Sequence, residues 1–323
     1  MSFLSLKNIG KIYVNEGNNF AVVGSKFIKN NATRGGAIYW TGVDGSITGS
    51  SFDMNSAVED AGAVYFNGSN GVIMDSNFTN NRAFYNGAVY MNSIEGTVLG
   101  CLFADNVATD SAGALGWVKK ENGTIIGSKF INNSAPRGGA IYLNNGTNFI
   151  IAWSKFENNT ASLNGGAIFW DSGNDGNIIG SSFINNNATE NGGAVFWNNT
   201  LNGNITDSKF IGNDAFDGGA IYFRGSNGII NQSKFINNTA YYNGAVYMNS
   251  IEGSVDNCIF ANNVATNSSG ALGWVKKQNG TISNSQFINN SAPLGGAIYV
   301  NEGNNLSVAD SKFIENKAVT GGA

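Results

Sequence analysis

Histidine is absent from the 323 residues, and proline and cysteine occur only twice each. Without histidine the chain lacks the commonest general base, the Ser/His/Asp and Cys/His arrangements, and His-based metal sites. Many classes of enzyme are therefore excluded by composition. The 44 glycines and abundant asparagines instead indicate a turn-rich, all-β chain.

Charge and long apolar runs are scarce as well. Charged residues make up 12% of the chain, and the formal net charge is −4. No clustered Lys and Arg residues provide the electrostatic footprint of nucleic-acid binding, so no nucleic acid is expected as a partner. No stretch reaches the roughly 18 apolar residues that span a bilayer, so no transmembrane segment is expected.

The two ends of the chain carry no recognisable targeting segment. The start at Met1 has neither a basic leader nor an apolar core of signal-peptide length, so we expect any export signal or anchor to lie outside this chain. The last residues, Gly321 to Ala323, stop within a repeat. We therefore expect residues 1–323 to be a single repeat array, cut from a longer surface protein.

A short repeat dominates the sequence. The motif Phe-x-x-Asn occurs twelve times at intervals of 25 to 27 residues. Its Phe and Asn pairs are Phe27 and Asn30, Phe52 and Asn55, Phe78 and Asn81, Phe103 and Asn106, Phe130 and Asn133, Phe156 and Asn159, Phe183 and Asn186, Phe210 and Asn213, Phe235 and Asn238, Phe260 and Asn263, Phe287 and Asn290, and Phe313 and Asn316. A catalytic residue is not needed twelve times, so we interpret these columns as structural.

Other columns keep the same register. Val or Ile stands five residues before each Phe, Ala stands five after it, and a Gly-Ala pair such as Gly36-Ala37 follows nine or ten residues beyond. Each period holds three short β-like runs and no helical pattern. WD40, kelch and leucine-rich repeats do not fit this period. The sequence therefore predicts an all-β parallel β-helix of about twelve coils, each with three sides.

Alternation along each run assigns the faces. Phe27 and its equivalents should point inward beside a small Ser, whereas Lys26 points outward. Ile38 and Trp40 should point inward, whereas Ala37 and Tyr39 point outward. The Asn of Phe-x-x-Asn and the Gly before Ala are expected at turns, where Asn tolerates a left-handed backbone and bonds neighbouring amides and Gly supplies a positive φ.

A longer unit is superimposed on the short one. Residues 85–148 recur nearly word for word at 242–305, an offset of 157 residues or six coils. The two cysteines, Cys101 and Cys258, occupy the same column of the two copies, where other coils have Ser. Six coils correspond to roughly 29 Å, so we expect that the two thiols do not pair.

The combination of Phe-x-x-Asn with Gly-Gly-Ala-[Ile/Leu/Val] resembles the repeats of chlamydial polymorphic outer-membrane proteins. The Asn-rich array also resembles the large adhesin-like proteins of methanogenic archaea. The resemblance is carried by segments such as 27–30 with 35–38, and 183–186 with 192–195. It implies a right-handed parallel β-helix on the cell surface with a role in adhesion.

Acidic residues are too scattered for a clear catalytic or metal site. The nearest cluster is Asp171, Asp175 and Glu190 in adjoining coils, which we interpret as solvated turn carboxylates. The segment from Asp171 departs from an EF-hand loop, because Gly173 stands at its third position and Ser182 at its twelfth. Neither a cofactor nor a metal is expected.

An outward aromatic column is the candidate binding feature. Its tyrosines are Tyr39, Tyr65, Tyr90, Tyr142, Tyr222 and Tyr247, and the column is interrupted at Gly116 and Gly273. Exposed aromatic strips mark interaction sites in some proteins. The alternative interpretation is a ladder of rings that stack on one another and stiffen the rod.

These observations favour a non-enzymatic, extracellular, adhesin-like scaffold at the cell surface. Its expected partners are surface polysaccharides or components of a host or neighbouring cell. The alternative is a polysaccharide-active enzyme of the pectate-lyase kind, since such enzymes share the β-helix.

Overall fold

The computed structural model describes residues 12–118, 121–275, 279–302 and 304–321. Within these residues there is no helix, and the strands form four parallel sheets that run the length of a solenoid. We name each sheet after its inward side chain. Three sheets have twelve strands and the fourth has ten, in agreement with the coil count predicted from the spacing of Phe-x-x-Asn.

The strands follow one another in a fixed order around each coil. The Trp sheet comprises Ile12–Val14, Ile38–Thr41, Val64–Asn67, Val89–Asn92, Leu115–Val118, Ile141–Asn144, Ile168–Asn174, Val195–Leu201, Ile221–Ser226, Val246–Ile251, Leu272–Val275 and Ile298–Asn301. The Ile sheet comprises Ala21–Val23, Ser46–Thr48, Val72–Met74, Thr97–Leu99, Thr124–Ile126, Ile150–Ala152, Asn177–Ile179, Asn204–Thr206, Ile229–Asn231, Ser254–Asp256, Thr281–Ser283 and Ser307–Ala309.

The remaining two sheets complete each coil. The Phe sheet comprises Lys26–Ile28, Ser51–Asp53, Asn77–Thr79, Leu102–Ala104, Lys129–Ile131, Lys155–Glu157, Ser182–Ile184, Lys209–Ile211, Lys234–Ile236, Ile259–Ala261, Gln286–Ile288 and Lys312–Ile314. The Ala sheet comprises Asn31–Arg34, Ser56–Asp60, Arg82–Ala83, Val107–Ala108, Ser134–Arg137, Thr160–Asn164, Asn187–Ala188, Asp214–Ala215, Thr239–Ala240 and Val264–Ala265.

The prediction of three strands per coil is wrong by one. The Ala column forms a strand of its own, which the sequence conceals because several of its members have only two residues. Each period-2 run must be several residues long before alternation becomes visible. Stacking on the neighbouring coil supplies the hydrogen bonds that make so short a segment a strand.

The coils stack in register, so that each residue pairs with its equivalent in the next coil. Phe27 pairs with Phe52, and Tyr39 pairs with Tyr65. The inward Phe rings form one continuous stack, with centroids 4.7 to 5.0 Å apart and planes within 7° of parallel. This spacing is that of neighbouring strands. The predicted inward face of Phe is therefore confirmed.

The Asn of Phe-x-x-Asn forms a buried hydrogen-bonded ladder. The backbone N–H and the side-chain amide of Asn81 both donate to Oδ1 of Asn106, each at 3.0 Å, and the same amide donates to the carbonyl of Phe52 at 3.0 Å. The left-handed residue is the one before it, such as Asn80 with a φ of 56°. The prediction that this Asn bonds neighbouring amides is confirmed, but its supposed left-handed backbone is wrong.

The Gly-Gly-Ala segment has two different requirements. Gly35 takes a positive φ of 56°, as expected for a turn. The positive φ predicted for the Gly before Ala is wrong at Gly36, where a Cβ would instead lie 2.1 Å from the carbonyl oxygen of Gly62 in the next coil. Close approach of two backbones thus explains the second glycine. Ala37 is fully buried rather than outward, because it lies in this tight turn before the strand begins.

Candidate functional site

The predicted Tyr strip lies on the outer face of the Trp sheet. Its rings stack along the rod: centroids lie 4.9 Å apart between Tyr39 and Tyr65, 4.6 Å between Tyr65 and Tyr90, and 4.3 Å between Tyr222 and Tyr247. Tyr142 stacks on Phe169 at 5.4 Å. The six tyrosines are half-buried, since neighbouring rings cover most of their faces. Ring edges and hydroxyls remain for a ligand, and binding by the strip stays a prediction.

The two interruptions of the strip are filled by asparagines. A Cβ on Gly116 would lie 1.9 Å from Oδ1 of Asn86, and a Cβ on Gly273 would lie 1.9 Å from Oδ1 of Asn243. Both asparagines are 3% exposed. Glycine at these positions therefore makes room for an amide from the preceding coil, and the gaps in the ring stack are closed rather than open to solvent.

Each of these asparagines donates a hydrogen bond to a partly buried aspartate. Asn86 donates to Oδ1 of Asp60 at 2.8 Å, and Asn243 donates to Oδ1 of Asp217 at 2.6 Å. Burial raises the pKa of each carboxyl to about 6, and the amide donor partly offsets that rise. These two acids repeat at the same offset of 157 residues as the rest of the duplication.

The aspartates lie close to tyrosines of the strip. Burial, followed by the charges of neighbouring groups that include Asp60, raises the pKa of Tyr65 and Tyr90. Burial likewise raises the pKa of Tyr222, with Tyr247 and Asp217 adding to the effect. These phenols therefore lose their proton less readily than an exposed tyrosine does.

Exposed aromatic side chains gather at one corner of the rod, between the Ala sheet and the Trp sheet. The first aromatic cluster is Phe84 and Tyr85, with ring centroids 4.8 Å apart at 87°. The second aromatic cluster is Phe216, Tyr241 and Tyr242, in which Phe216 stacks on Tyr241 at 5.0 Å and Tyr242 meets both rings edge-on. The five rings are 37 to 48% exposed.

Backbone hydrogen bonds between coils hold both clusters in place. The N–H of Tyr85 donates to the carbonyl of Glu59, and the N–H groups of Tyr241 and Tyr242 donate to the carbonyl of Phe216. In the following coils the same corner carries small polar residues, namely Thr109 with Asp110 and Thr266 with Asn267. The exposed rings are therefore local additions to the common coil.

The acids singled out in the sequence are not brought together. Asp171 accepts from Asn198 at 3.0 Å, Asp175 accepts from Asn202 at 2.8 Å, and Glu190 accepts from Asn164 at 3.1 Å. Each is thus bonded to an amide of an adjacent coil. In the part of the chain that the structure describes, no group of three or more Asp, Glu or Cys could hold a metal ion.

Sequence reasoning missed the aromatic clusters and the partly buried aspartates. A signal for the clusters is present, because two successive aromatic residues occur at this turn only at positions 84–85 and 241–242, and the next coil has Thr109 with Asp110 or Thr266 with Asn267 there. The residue of the preceding coil that accepts their backbone hydrogen bonds also differs, since it is Glu59 at the first cluster and Phe216 at the second. The burial of Asp60 and Asp217 has no such signal, because it depends on how coils stack.

Three segments match the pattern of the Chlamydia polymorphic membrane protein repeat, at residues 127–144, 154–169 and 284–301. These three segments carry the pattern of this repeat. Each matched segment includes a Phe-x-x-Asn motif and a Gly-Gly-Ala turn, the two features on which the resemblance in the sequence depends. In the fold these features are the Phe stack with its Asn ladder and the close contact between coils.

The chain is also similar to solved β-helix structures. A mannuronic acid specific polysaccharide family 6 lyase from human gut microbiota has a TM-score of 0.54 at 12% identity, over 91% of this chain and 77% of the lyase. PfbA, a surface adhesin of Streptococcus pneumoniae, gives 0.43 at 13% identity, over 96% and 83%. A tailspike protein of E. coli bacteriophage HK620 in complex with hexasaccharide gives 0.43 at 14%, over 96% and 60%. The first similarity shows the shared fold alone.

No curated protein matches the sequence significantly. Among the described residues, no helix has the length and apolar character required to cross a membrane.

Proposed function

We propose that this protein is an extracellular, non-cleaving scaffold that binds glycans at the cell surface through its exposed aromatic clusters. The observation that carries the proposal is the presence of two clusters on the same corner, separated by six coils or roughly 29 Å. The chlamydial repeat supports a surface location. A rigid rod that displays two aromatic patches on one corner suits attachment to a repeating polymer.

The chemistry of the clusters suits a sugar ring. Exposed aromatic faces pack on the apolar C–H face of a pyranose, and nearby Thr, Asn and Tyr groups offer hydrogen bonds to its hydroxyls. Thr109 and Asp110 flank the first cluster, and Thr266 and Asn267 flank the second. Two patches on one rod also raise the overall affinity when a polymer reaches both.

The size of each cluster favours a glycan over a protein partner. An aromatic side chain buries about 150 to 250 Å² when fully covered, and these rings are already more than half covered. Two or three such rings offer far less than the roughly 800 Å² per partner of a stable protein interface. A few sugar units match the available area.

The repeated polar residues of the coil support the absence of cleavage. Each ladder Asn directs its amide and its carbonyl into the bonds between coils, so it has no free group for chemistry. Enzymes normally break the local rules of their scaffold at the active site. At the aromatic clusters, the residues that depart from the repeat pattern are aromatic side chains, which suit binding, and not acids or bases, which catalysis would need.

Binding to an array of surface polysaccharides, followed by affinity electrophoresis, tests the proposal. The variant Phe84→Thr/Tyr85→Asp takes the residues of the following coil, and Tyr241→Thr/Tyr242→Asn does the same for the second cluster. We expect each pair to weaken binding and the combined variant to abolish it, with unchanged thermal unfolding. Full binding by a folded combined variant would contradict the assignment.

A second candidate is a polysaccharide-active enzyme, and one observation favours it. Strongly shifted pKa values gather at active sites, and the pKa of Asp60 and of Asp217 is raised to about 6 beside tyrosines. Release of reducing ends or unsaturated uronates from pectin, alginate or mannuronate polymers, lost in Asp60→Asn/Asp217→Asn, would establish this function. Under our proposal the protein leaves these polymers intact.

A further inference from the structure

The turn between the Ile sheet and the Phe sheet has one backbone requirement in every coil. Its first residue is left-handed in all twelve coils, with φ between 48° and 63°. Ten of the twelve positions are Gly, Asp or Asn, the residues that tolerate this conformation. The two exceptions are Gln232 and Trp153.

Trp153 departs furthest from this rule. Its φ is 49°, although a bulky residue is rarely found there. Its backbone N–H donates to the carbonyl of Ile179 in the next coil at 2.9 Å, so the turn cannot relax without breaking the ladder. The side chain is 66% exposed, whereas the other five tryptophans are at most 1% exposed. Strain combined with exposure of a large ring is typical of a functional position.

Glycines on both sides leave space around the indole. A Cβ on Gly180, in the next coil, would lie 2.6 Å from Cδ1 of Trp153, so the ring rests over that glycine. A Cβ on Gly127, in the preceding coil, would meet nothing within 4 Å. The indole therefore has a support on one side and open space on the other.

A polar groove continues along the same turn. It has a volume of about 420 Å³ and begins two coils beyond Trp153. Its polar lining comprises Asp207, Gln232, Lys234, Asn257, Asn284 and Gln286. Gln232, the second exception to the backbone rule, thus lies within this groove.

We propose that this turn is a second saccharide-binding track, in which Trp153 stacks on one pyranose ring and the groove amides bond the hydroxyls of units further along the chain. The proposal rests on the glycan-binding function proposed above and adds a site away from the aromatic clusters. Along each coil, the Phe sheet and the Ala sheet lie between the two corners.

The lining identifies the class of saccharide. The groove holds one Lys and one Asp, so it has no net charge, and its other polar groups are the Ser233 hydroxyl and amides, all of which both donate and accept hydrogen bonds. Neutral, hydroxyl-rich pyranose polymers suit such a surface better than polyuronates. A single exposed indole offers too little area for a protein partner.

The test uses tryptophan fluorescence and affinity electrophoresis with soluble β-glucan, mannan and galactan, and with polymannuronate as the acidic comparison. Because Trp153 is the exposed one of the six tryptophans, binding to a neutral polymer should shift its emission to shorter wavelength and protect it from acrylamide quenching. Absence of any shift while electrophoresis detects binding would overturn the track.

Variants drawn from the same column keep the fold. Trp153→Asp takes the residue that stands six coils later in the same column, Asp310, which has the same φ of 49°. Gln232→Gly uses the commonest residue of the column. We expect each variant to weaken binding roughly tenfold, and we expect Trp153→Asp to unfold at an equal or higher temperature.

A matched control separates this track from the function as a whole. Asp75→Gly changes the same column, three coils before Trp153 and outside the groove, and should leave binding unchanged. If Trp153→Asp binds normally while the aromatic-cluster variants do not, the track is refuted and the proposed function stands. If the unaltered protein binds none of the polysaccharides, both proposals fail.

Discussion

The two copies of the long repeat have nearly the same sequence but not the same surroundings. Asn86 and Asn243 fill equivalent gaps in the Tyr strip, yet Oδ1 of Asn243 accepts from Ser269 at 2.8 Å, whereas Oδ1 of Asn86 is buried without a partner. The difference arises because Ala112 stands where the second copy has Ser269. One substitution in the next coil thus decides whether a buried amide is satisfied.

A second difference lies at the aromatic clusters. In the coils before the first copy, Arg34 forms an ion pair with Glu59 at 2.7 Å. In the coils before the second copy the equivalent positions are Asn191 and Phe216, and Phe216 adds a third ring to the cluster. Duplication copied the scaffold, and the neighbouring coil then changed the surface. The environment of a residue in a solenoid is set by the coil before and the coil after it.

The largest expected effect is a loss of stability that should be the same at two equivalent positions six coils apart. Phe78→Ala and Phe235→Ala remove equivalent, fully buried rings from the Phe stack, and each should cost about 3 to 5 kcal/mol. The exposed neighbours provide controls, since Asn77→Ala and Lys234→Ala should change stability by less than about 0.5 kcal/mol. Chemical denaturation measures all four. Similar losses for ring and neighbour would show that the inward and outward faces are reversed.

The two partly buried aspartates, Asp60 and Asp217, should make stability depend on pH. Both carboxyls have a folded pKa of about 6, above the ordinary 3.8. The folded state therefore holds the extra protons, and the free energy of unfolding falls as pH rises from about 4 to about 6, by about 1 to 3 kcal/mol per group. Thermal unfolding across this range should lose that slope in Asp60→Asn/Asp217→Asn.

Ionic strength should affect the pH response of Asp60 more than that of Asp217. Burial raises the pKa of both carboxyls and hydrogen-bond donors oppose that rise, but only the pKa of Asp60 is also shifted by charged side chains, those of Arg34 and Glu59. The pH response of the single variant that retains Asp60 should therefore change with ionic strength more than that of the variant that retains Asp217. Equal salt dependence would argue against this difference.

Moving the serine hydroxyl from position 269 to position 112 should reverse the difference between Asn86 and Asn243 in hydrogen bonding. Ala112→Ser gives Asn86 the donor that it lacks and should stabilise the fold by about 1 kcal/mol, whereas Ser269→Ala should destabilise it by about 1 to 3 kcal/mol. Urea denaturation of the two variants and of their combination provides the measurement. The two substitutions should change the free energy of unfolding in opposite directions. Changes in the same direction would contradict the role of the Ser269 hydrogen bond.

The smallest effect is expected at the cysteines, which are unpaired and buried in both copies. Cys101→Ser and Cys258→Ser place the common residue of the column there and should change stability by less than about 0.5 kcal/mol. Burial raises the pKa of Cys101 to about 11 and that of Cys258 to about 12, so both thiols should react slowly with thiol reagents until the protein unfolds. Fast labelling of one copy alone would reveal local opening.

Much of the rod could be predicted from the residues alone. The interval between Phe27 and Phe52 equals one coil, and the alternation around Phe27 assigns its inward face. Such patterns are visible because a solenoid repeats its contacts at a fixed distance along the chain. The placement of Cys101 and Cys258 in the same column, six coils apart, follows from the same regular repeat.

The candidate sites could be predicted only in part. The Tyr strip is visible as a column, but the covering of one ring by the next depends on stacking distance. Trp153 is visible as an oddity only once the left-handed turn is known. The raised pKa of Asp60 depends on burial beneath a side chain of the following coil, which no local pattern indicates.

By itself, the sequence determined the period, the all-β class, the inward Phe and the twelvefold repetition, because each is a local pattern that recurs in register. Tertiary structure alone decided that Ala32 belongs to a fourth sheet, that the ladder Asn is fully buried, and that Gly36 must lack a Cβ. It also decided which rings face solvent. These features depend on atoms about 25 residues apart in sequence that meet across adjacent coils, so no single coil contains the information.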